Sequence, residues 1–328
     1  MDPTDHGDAI ATRGDVVARV LPGQEALVEA LAFLDEAAAV AQAPLVDETE
    51  RVRLERAAAG EVAPAPHWHP LLARRAGVAV GYAGVLLPSD PGAAASGDVA
   101  VHRDRAPCEP ALAALLAALH GLARRHGAGR LSVWLRRATA DEVACAAAEG
   151  FAVERRLGIL GLALGEQPEP VAPPPGVGIR AYRPGQDDDA VVAVLAAAYA
   201  GTADGGWTRE RFAAKRDLPW FRPDDLLVAD AGEGRLVGLH WLKRRQPGVG
   251  EVYNLAVRPG AQGGGLGAAL LSAGLAHLGG AGTSEVLLWV DLDNDRAVRL
   301  YTAHGFRTRW EDVSLVRDLS GGEDGGAG

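Results

Sequence analysis

The chain repeats itself, and the repeat limits what it can fold into. Val133-Trp134-Leu135 leads to Gly150-Phe151, and Leu288-Trp289-Val290 leads to Gly305-Phe306. From tryptophan to glycine is 16 positions in both halves. Further back, Val101 lies 33 positions before Trp134, and Val257 lies 32 before Trp289. A strand, a helix and a Gly-Phe exit recurring at one offset mark a duplicated unit. The 328-residue length accommodates two such units. Between them, residues 167–178 read QPEPVAPPPGVG, with five prolines. Proline fixes φ and blocks ladder hydrogen bonds, so this stretch reads as an extended connection. The expected boundaries are a first unit over 12–165, a linker over 166–178, a second unit over 179–319 and a disordered tail over 320–328.

Each half alternates helical and strand periodicity. In the second, residues 187–200 read as a helix after an acidic first turn, and 226–230 and 235–242 as strands. Residues 251–257 alternate, with Val252, Asn254 and Ala256 on one face and Tyr253, Leu255 and Val257 on the other. A glycine-rich loop follows, then a helix over 268–278, a strand over 286–290, a helix over 295–304 stopped by Gly305, and a strand over 314–316. The first half gives helices over 24–42 and 48–59, strands over 78–87 and 99–101, a helix over 110–126, a strand over 131–135 and a helix over 141–149.

Composition excludes several classes. The net charge is −10, so phosphate-backbone binding is not the main role. No run of about 18 apolar residues predicts a membrane span. The acidic start has no apolar signal region, so a cytoplasmic protein is expected. Cys108 and Cys145 lack metal-ligand spacing and read as two buried thiols in a reducing compartment. His67-Trp68-His69 has no acid or cysteine at metal spacing, so no metal site is expected. The run Lys243-Arg244-Arg245 reads as a solvated turn, or as an attraction for phosphate.

The chemistry concentrates after Val257. A strand passes through Arg258-Pro259-Gly260-Ala261 into Gln262-Gly263-Gly264-Gly265-Leu266-Gly267, and a helix opens at once. Glycines let successive N–H groups face one point, and a helix start adds a positive dipole end. Such a cradle holds a pyrophosphate. Taken alone it equally reads as a tight structural loop. Its place late in the unit argues against a dinucleotide-binding fold, whose glycine loop follows the first strand.

With Leu255-Ala256-Val257 before the loop and Asn294-x-x-Ala297-x-x-x-Tyr301-x-x-x-Gly305-Phe306 after it, the second half resembles the GCN5-related N-acetyltransferase family. The resemblance implies an α/β fold: two tandem domains, each a central, mostly antiparallel mixed sheet flanked by helices. It implies acetyl-CoA as co-substrate, held by Leu255, Ala256 and Val257, by Gln262, Gly263, Gly264, Gly265, Leu266, Gly267 and Ala268, and by Asn294, Asp295, Arg296, Ala297, Val298 and Arg299. Glu251 is the expected general base, and otherwise an exposed strand-end acid. Tyr301 is the expected acid for the departing thiolate, and otherwise a core tyrosine. The Leu255 N–H is the expected donor to the thioester oxygen.

Further stretches, Gly205-Gly206-Trp207-Thr208, Trp220-Phe221-x-Pro223-Asp224, Gly238-x-His240-Trp241-x-Lys243 and Gly250-Glu251-Val252-Tyr253, resemble a tandem subfamily that acetylates the cysteinyl amine of a cysteine–glucosamine–inositol conjugate. This implies substrate contacts from Glu48, Asp204, Lys243, Glu251 and Trp289. Asp204 stands where that subfamily tends to have Glu, and Trp289 where it tends to have Tyr. A small-molecule partner and a monomer are expected. Another small amine, or a protein N-terminus, is the alternative acceptor; a CoA-binding protein without turnover is the alternative of another class. The first half lacks the chemistry. At the repeat offset Tyr301 falls on Ala146 and Glu251 on Ala95, and the loop after Val101 holds Pro107 and Pro110 but no glycine. The first unit is expected to do no chemistry.

Overall fold

The computed structural model describes residues 9–63, 65–105, 108–165, 170–202 and 204–320. Its elements run β1 (Ala9–Arg13), β2 (Val16–Val20), α1 (Gln24–Ala41), α2 (Glu48–Ala58), β3 (Trp68–Arg75), β4 (Val78–Leu86), β5 (Ala94–Val101), α3 (Cys108–Arg125), β6 (Arg130–Leu135), α4 (Ala140–Ala148) and β7 (Ala152–Ala163). They continue with β8 (Gly178–Ala181), α5 (Asp188–Ala198), α6 (Arg209–Arg216), β9 (Leu226–Asp230), β10 (Leu236–Gln246), β11 (Val249–Val257), α7 (Leu266–Gly280), β12 (Glu285–Asp291), α8 (Asp295–Ala303) and β13 (Arg307–Asp318). The chain divides into two compact units. One comprises the residues up to Leu157 together with those from Trp310 on; the other is Gly158–Arg309.

This division corrects the contiguous boundaries expected from sequence. The strand over 314–316 does not close the second unit. Ser314, Leu315 and Val316 pair with Trp134, Val133 and Ser132 of β6, and Val313 and Leu315 are buried in the first unit's core. The second unit is closed instead by the end of β7, whose Leu160 lies in that unit's core. The proline-rich stretch is not a free linker either. Among its described residues, the Val171 N–H donates to Ser272 Oγ at 3.0 Å, and Val177 packs on Leu266 and Leu270 of α7. Of the expected tail, residues 321–328 lie outside the described residues, as do 166–169 of the linker.

In the first unit the strands run β1-β2-β3-β4-β5-β6-β13, antiparallel except for the parallel β5–β6 pair. Alternation along β3 sends Leu71 and Ala73 to one face and Trp68 and Leu72 to the other. The first face meets α3, through the fully buried Leu112, Leu115, Leu116 and Leu119. The second meets α1 and α2, through Phe33, Leu34 and Leu54. Each such leucine contributes ~1.5–3 kcal/mol by leaving water. Strand β3 was missed in the sequence because Pro70 interrupts it. Pro70 sits one residue beyond the β2–β3 register, so its missing N–H breaks no ladder bond with β2.

The second unit runs β7-β12-β11-β10-β9-β8, with β11 and β12 parallel. Helix α7 covers one face through Leu270, Leu271, Leu275 and Leu278; helices α5 and α6 cover the other through Val191, Val194, Leu195 and Phe212. His240 on β10 is wholly buried, with Nδ1 2.8 Å from the Leu270 carbonyl. Gly274 on α7 makes the room for it: a Cβ there would stand 2.1 Å from His240 Nδ1. Burial pushes the His240 imidazole down to about 4. The unfolded chain takes up this proton near pH ~6.5 and the folded chain does not. Stability contributed by the neutral ring is therefore complete above pH ~6.5 and falls by roughly 3 kcal/mol as pH drops towards 4. Urea unfolding at stepped pH should show this loss, and His240→Gln should abolish it.

Candidate active site

The two parallel strand pairs, β5–β6 and β11–β12, differ in one respect that decides where chemistry can occur. In the second unit, Trp241 pairs with Asn254 but the next residue, Leu242, pairs with Val252. Tyr253 is the extra residue of a β-bulge. The parallel pairing of β11 with β12 ends at the same place, at Val252–Leu288. Beyond it the strands part. A bulge kinks and twists its strand, which is how it opens a sheet. It also overturns the simple alternation read from sequence: Val252 belongs to the core under α7, while Ala256 belongs to the core under α5.

In the first unit β5 has no bulge. Its pairing with β4 runs unbroken from Leu86–Ser96 to Gly81–Val101, and its parallel pairing with β6 continues to Val99–Leu135. Matching the parallel pairs puts Gly97–Val133 on Val252–Leu288, so Glu251 corresponds to Ser96, not Ala95. The extra residue Tyr253 accounts for the one-position slip. Next to the end of the β5–β6 pairing in the first unit, the Arg136 guanidinium lies 3.6 Å from Asp98 and 3.1 Å from Asp312. Burial raises the Asp98 carboxyl to about 6, against the pull of Arg136. Of the glycine-free loop after Val101, Ala106 and Pro107 lie outside the described residues.

The opening in the second unit leads to a cavity of about 390 Å³. Of the expected cofactor residues, Leu255, Ala256, Val257, Gln262, Gly263, Gly265, Leu266, Gly267, Ala268, Asn294, Arg296 and Ala297 line it; Gly264, Asp295, Val298 and Arg299 do not. Gly263 and Gly265 have φ of +92° and +82°, a region that side chains disfavour, and this turns the loop into the α7 N-terminus. The first N–H groups of a helix have no helical acceptor and face an incoming anion. The Gln262 amide ties the loop down, donating to the Val257 carbonyl at 2.9 Å and accepting from Arg296. Asn294 caps α8 by accepting from the Ala297 N–H at 3.1 Å. These features fit a pyrophosphate with an adjoining pantetheine arm.

Tyr301 lines the cavity and is buried, and burial, with Tyr199 nearby, pushes its hydroxyl well above the usual tyrosine range. The phenol therefore stays protonated and able to donate. In the sequence Tyr199 stood out only as a position at helical spacing within residues 187–200. It lines the cavity too, accepts from Asn254 Nδ2 at 3.3 Å and points its hydroxyl at the Leu255 carbonyl at 3.4 Å. The one available signal was a hydroxyl ending an otherwise apolar stripe, because a buried phenol needs a partner.

Glu251 lies on β11 four residues before Leu255 and is 7 % exposed, which excludes the exposed strand-end reading. Burial raises its carboxyl, opposed by the cations Arg245 and Lys243. Lys243 stands directly across from it on β10, with Nζ 4.7 Å from the Trp220 ring and 5.9 Å from that of Tyr253. Arg245 Nε is 3.2 Å from Glu251 Oε2, and its guanidinium lies 4.7 Å from the Trp289 ring. The solvated-turn reading of this basic run is therefore corrected. Asp204 is exposed and adds to the forces raising the Tyr199 hydroxyl. Glu48 is the exposed first residue of α2, in the first unit.

Cys145 carries a free, half-buried thiol pushed up to about 11 by burial, not a fully buried one. The side chain of Cys108 lies outside the described residues. No described helix is long and apolar enough to cross a membrane.

Residues 192–306 match the acetyltransferase (GNAT) family. A mycothiol acetyltransferase of Streptomyces avermitilis is 38 % identical over 315 residues, covering 91 % of this chain and 93 % of that protein. One from Thermomonospora curvata is 42 % identical over 245 residues, 74 % and 80 % of the two chains. Among solved structures, a GCN5-related N-acetyltransferase from Sphaerobacter thermophilus superposes with a TM-score of 0.68 at 22 % identity, over 95 % of this chain and 98 % of its own. A tandem GNAT protein from the clavulanic acid biosynthesis pathway gives 0.60 at 18 %, over 94 % and 100 %. With the opened strand pair, the glycine cradle and full-length relatives in agreement, the chain is a tandem-domain acetyl-CoA-dependent N-acetyltransferase that belongs to the GNAT family, in the group of the mycothiol acetyltransferases.

Proposed function

We propose that the protein transfers the acetyl group of acetyl-CoA to the cysteinyl amine of a cysteine–glucosamine–inositol conjugate, making mycothiol. The observation that carries the reading is Glu251, a buried carboxylate between two cations on the strand that runs into the cradle. The amine attacks the thioester carbon, so a C–N bond forms and the C–S bond breaks. Glu251 takes the ammonium proton, directly or through water, and Tyr301 supplies a proton to the departing thiolate. The Leu255 N–H stabilises the developing oxyanion. Holding both reactants in one cleft supplies proximity, and no covalent enzyme intermediate is needed. Asp204, Lys243 and Trp289 contact the conjugate.

In this reading only the second unit is catalytic, and the first, with β5 and β6 still paired where β11 and β12 part, does no chemistry. The protein works as a cytoplasmic monomer without a metal, and its partners are acetyl-CoA and the small thiol precursor. Purified enzyme incubated with acetyl-CoA and a panel of amines, with products identified by mass spectrometry, tests the assignment. Acetylation of the cysteinyl conjugate with a kcat/KM at least ~100-fold above that of simple amines or peptide N-termini is the expected result. Preference for another amine would overturn the acceptor while sparing the acetyl-transfer chemistry.

A further inference from the structure

Arg245 owes its direction to a second bulge. Arg244 pairs with Gly250 and Gln246 with Val249, so Arg245 is an extra residue just before the β10–β11 turn. Bulges re-aim side chains beside active sites. Here the guanidinium is turned onto two groups at once: Nε is 3.2 Å from Glu251 Oε2, and the ring of Trp289 lies 4.7 Å away. The indole face is the strongest aromatic partner for a cation, and the stacking fixes the guanidinium plane. The contact with Glu251 is an ion pair without hydrogen-bond alignment, and Oε2 accepts no hydrogen bond from any described residue. The carboxylate thus has its charge balanced, with Oε2 not committed to a hydrogen bond.

We infer that Arg245, held on Trp289, is a positioning residue that keeps Glu251 ionised and oriented to receive the amine proton. The need is plain from burial. A carboxylate taken out of water reverts to the neutral acid, and a protonated Glu251 cannot act as a base. The charged groups acting on Glu251 are Lys243, directly across on β10, and Arg245, two residues further. On the other side, β12 offers Leu287 directly opposite, while Glu285 on that strand is engaged with Arg309. Lys243 lies over Trp220 and Tyr253, so Arg245 is the cation within contact distance of Oε2 among the described residues.

The inference rests on Glu251 being the base in the proposed function, and its test separates the two. In enzyme labelled with ¹³C at the glutamate carboxyls, the Glu251 signal is assigned by its loss in Glu251→Gln and titrated without substrate. Arg245→Gln should raise its midpoint by about one pH unit or more, Arg245→Lys should restore most of the shift, and Trp289→Leu should raise it by less than Arg245→Gln. The acid limb of kcat/KM should move to higher pH by the same amount in Arg245→Gln, with acetyl-CoA affinity unchanged. A uniform loss of rate with an unmoved midpoint and acid limb would overturn the inference. A moved midpoint without acetylation of the cysteinyl conjugate would instead overturn the acceptor assignment and leave the role of Arg245 standing.

Discussion

Glu251→Gln should lower kcat by 10²–10⁴-fold, the range typical of losing a positioned general base. Glutamine keeps the shape and most of the polarity of the side chain but cannot take the ammonium proton. Glu251 does not line the cofactor cavity, so acetyl-CoA binding should be unchanged, as read by calorimetry. Packing should tolerate the change as well, because glutamine is nearly isosteric with the buried glutamate. The residual rate should lose the acid limb that Glu251 imposes, leaving only the ionisation of the amine. A variant that kept full rate across the pH range would remove Glu251 from the mechanism. Tyr301→Phe should cost less, since a CoA thiolate is a fair leaving group without an acid.

Trp241→Ala should destabilise the second unit by roughly 3–5 kcal/mol, the cost of emptying a large aromatic site in a core. Trp241 is fully buried, and five rings surround it: Phe212, Phe221, Tyr253, Trp220 and Trp207, with centroids 5.2 to 6.2 Å away. Its loss would leave Tyr253, the bulged residue, without the ring it packs on edge-to-face at 5.2 Å. The splay of β11 from β12 should loosen with it, so activity should fall further than the folded fraction alone explains. Trp241→Phe separates volume from polarity. The indole Nε1 has no described acceptor, so phenylalanine gives up volume but also removes a buried unpaired donor. That variant should cost well under half as much. Urea unfolding followed by tryptophan fluorescence measures both, with the two units allowed separate transitions.

The cradle was legible because it is local. A strand, a loop of glycines and an apolar helix lie in one stretch, and Gln262, Gly263, Gly265 and Gly267 line one cavity. Tyr301, which lines the same cavity, was picked out by the family resemblance that the stretch from Asn294 to Phe306 carries. What escaped the sequence depends on pairing between distant strands. The bulge at Tyr253 adds one residue to a pattern that still looks alternating, and only the partner β10 reveals the slip. The exchange of end strands escaped because the duplication makes the two ends equivalent. Both β7 and β13 follow a Gly-Phe exit, and β6 and β12 offer like edges to them. Periodicity cannot tell which edge each strand takes. Arg245 looked like one more charge in a basic turn, since its orientation comes from a bulge with no composition signal.

Among the described residues the opened strand pair occurs once, so one acetyl-CoA is expected on each chain. Calorimetric titration of the full-length protein with CoA tests this most directly. A single site per chain is the expected result, lost when Gly265→Val forces a side chain into the positive-φ position of the cradle. Two sites per chain, or one site that survives Gly265→Val with the fold intact, would contradict it.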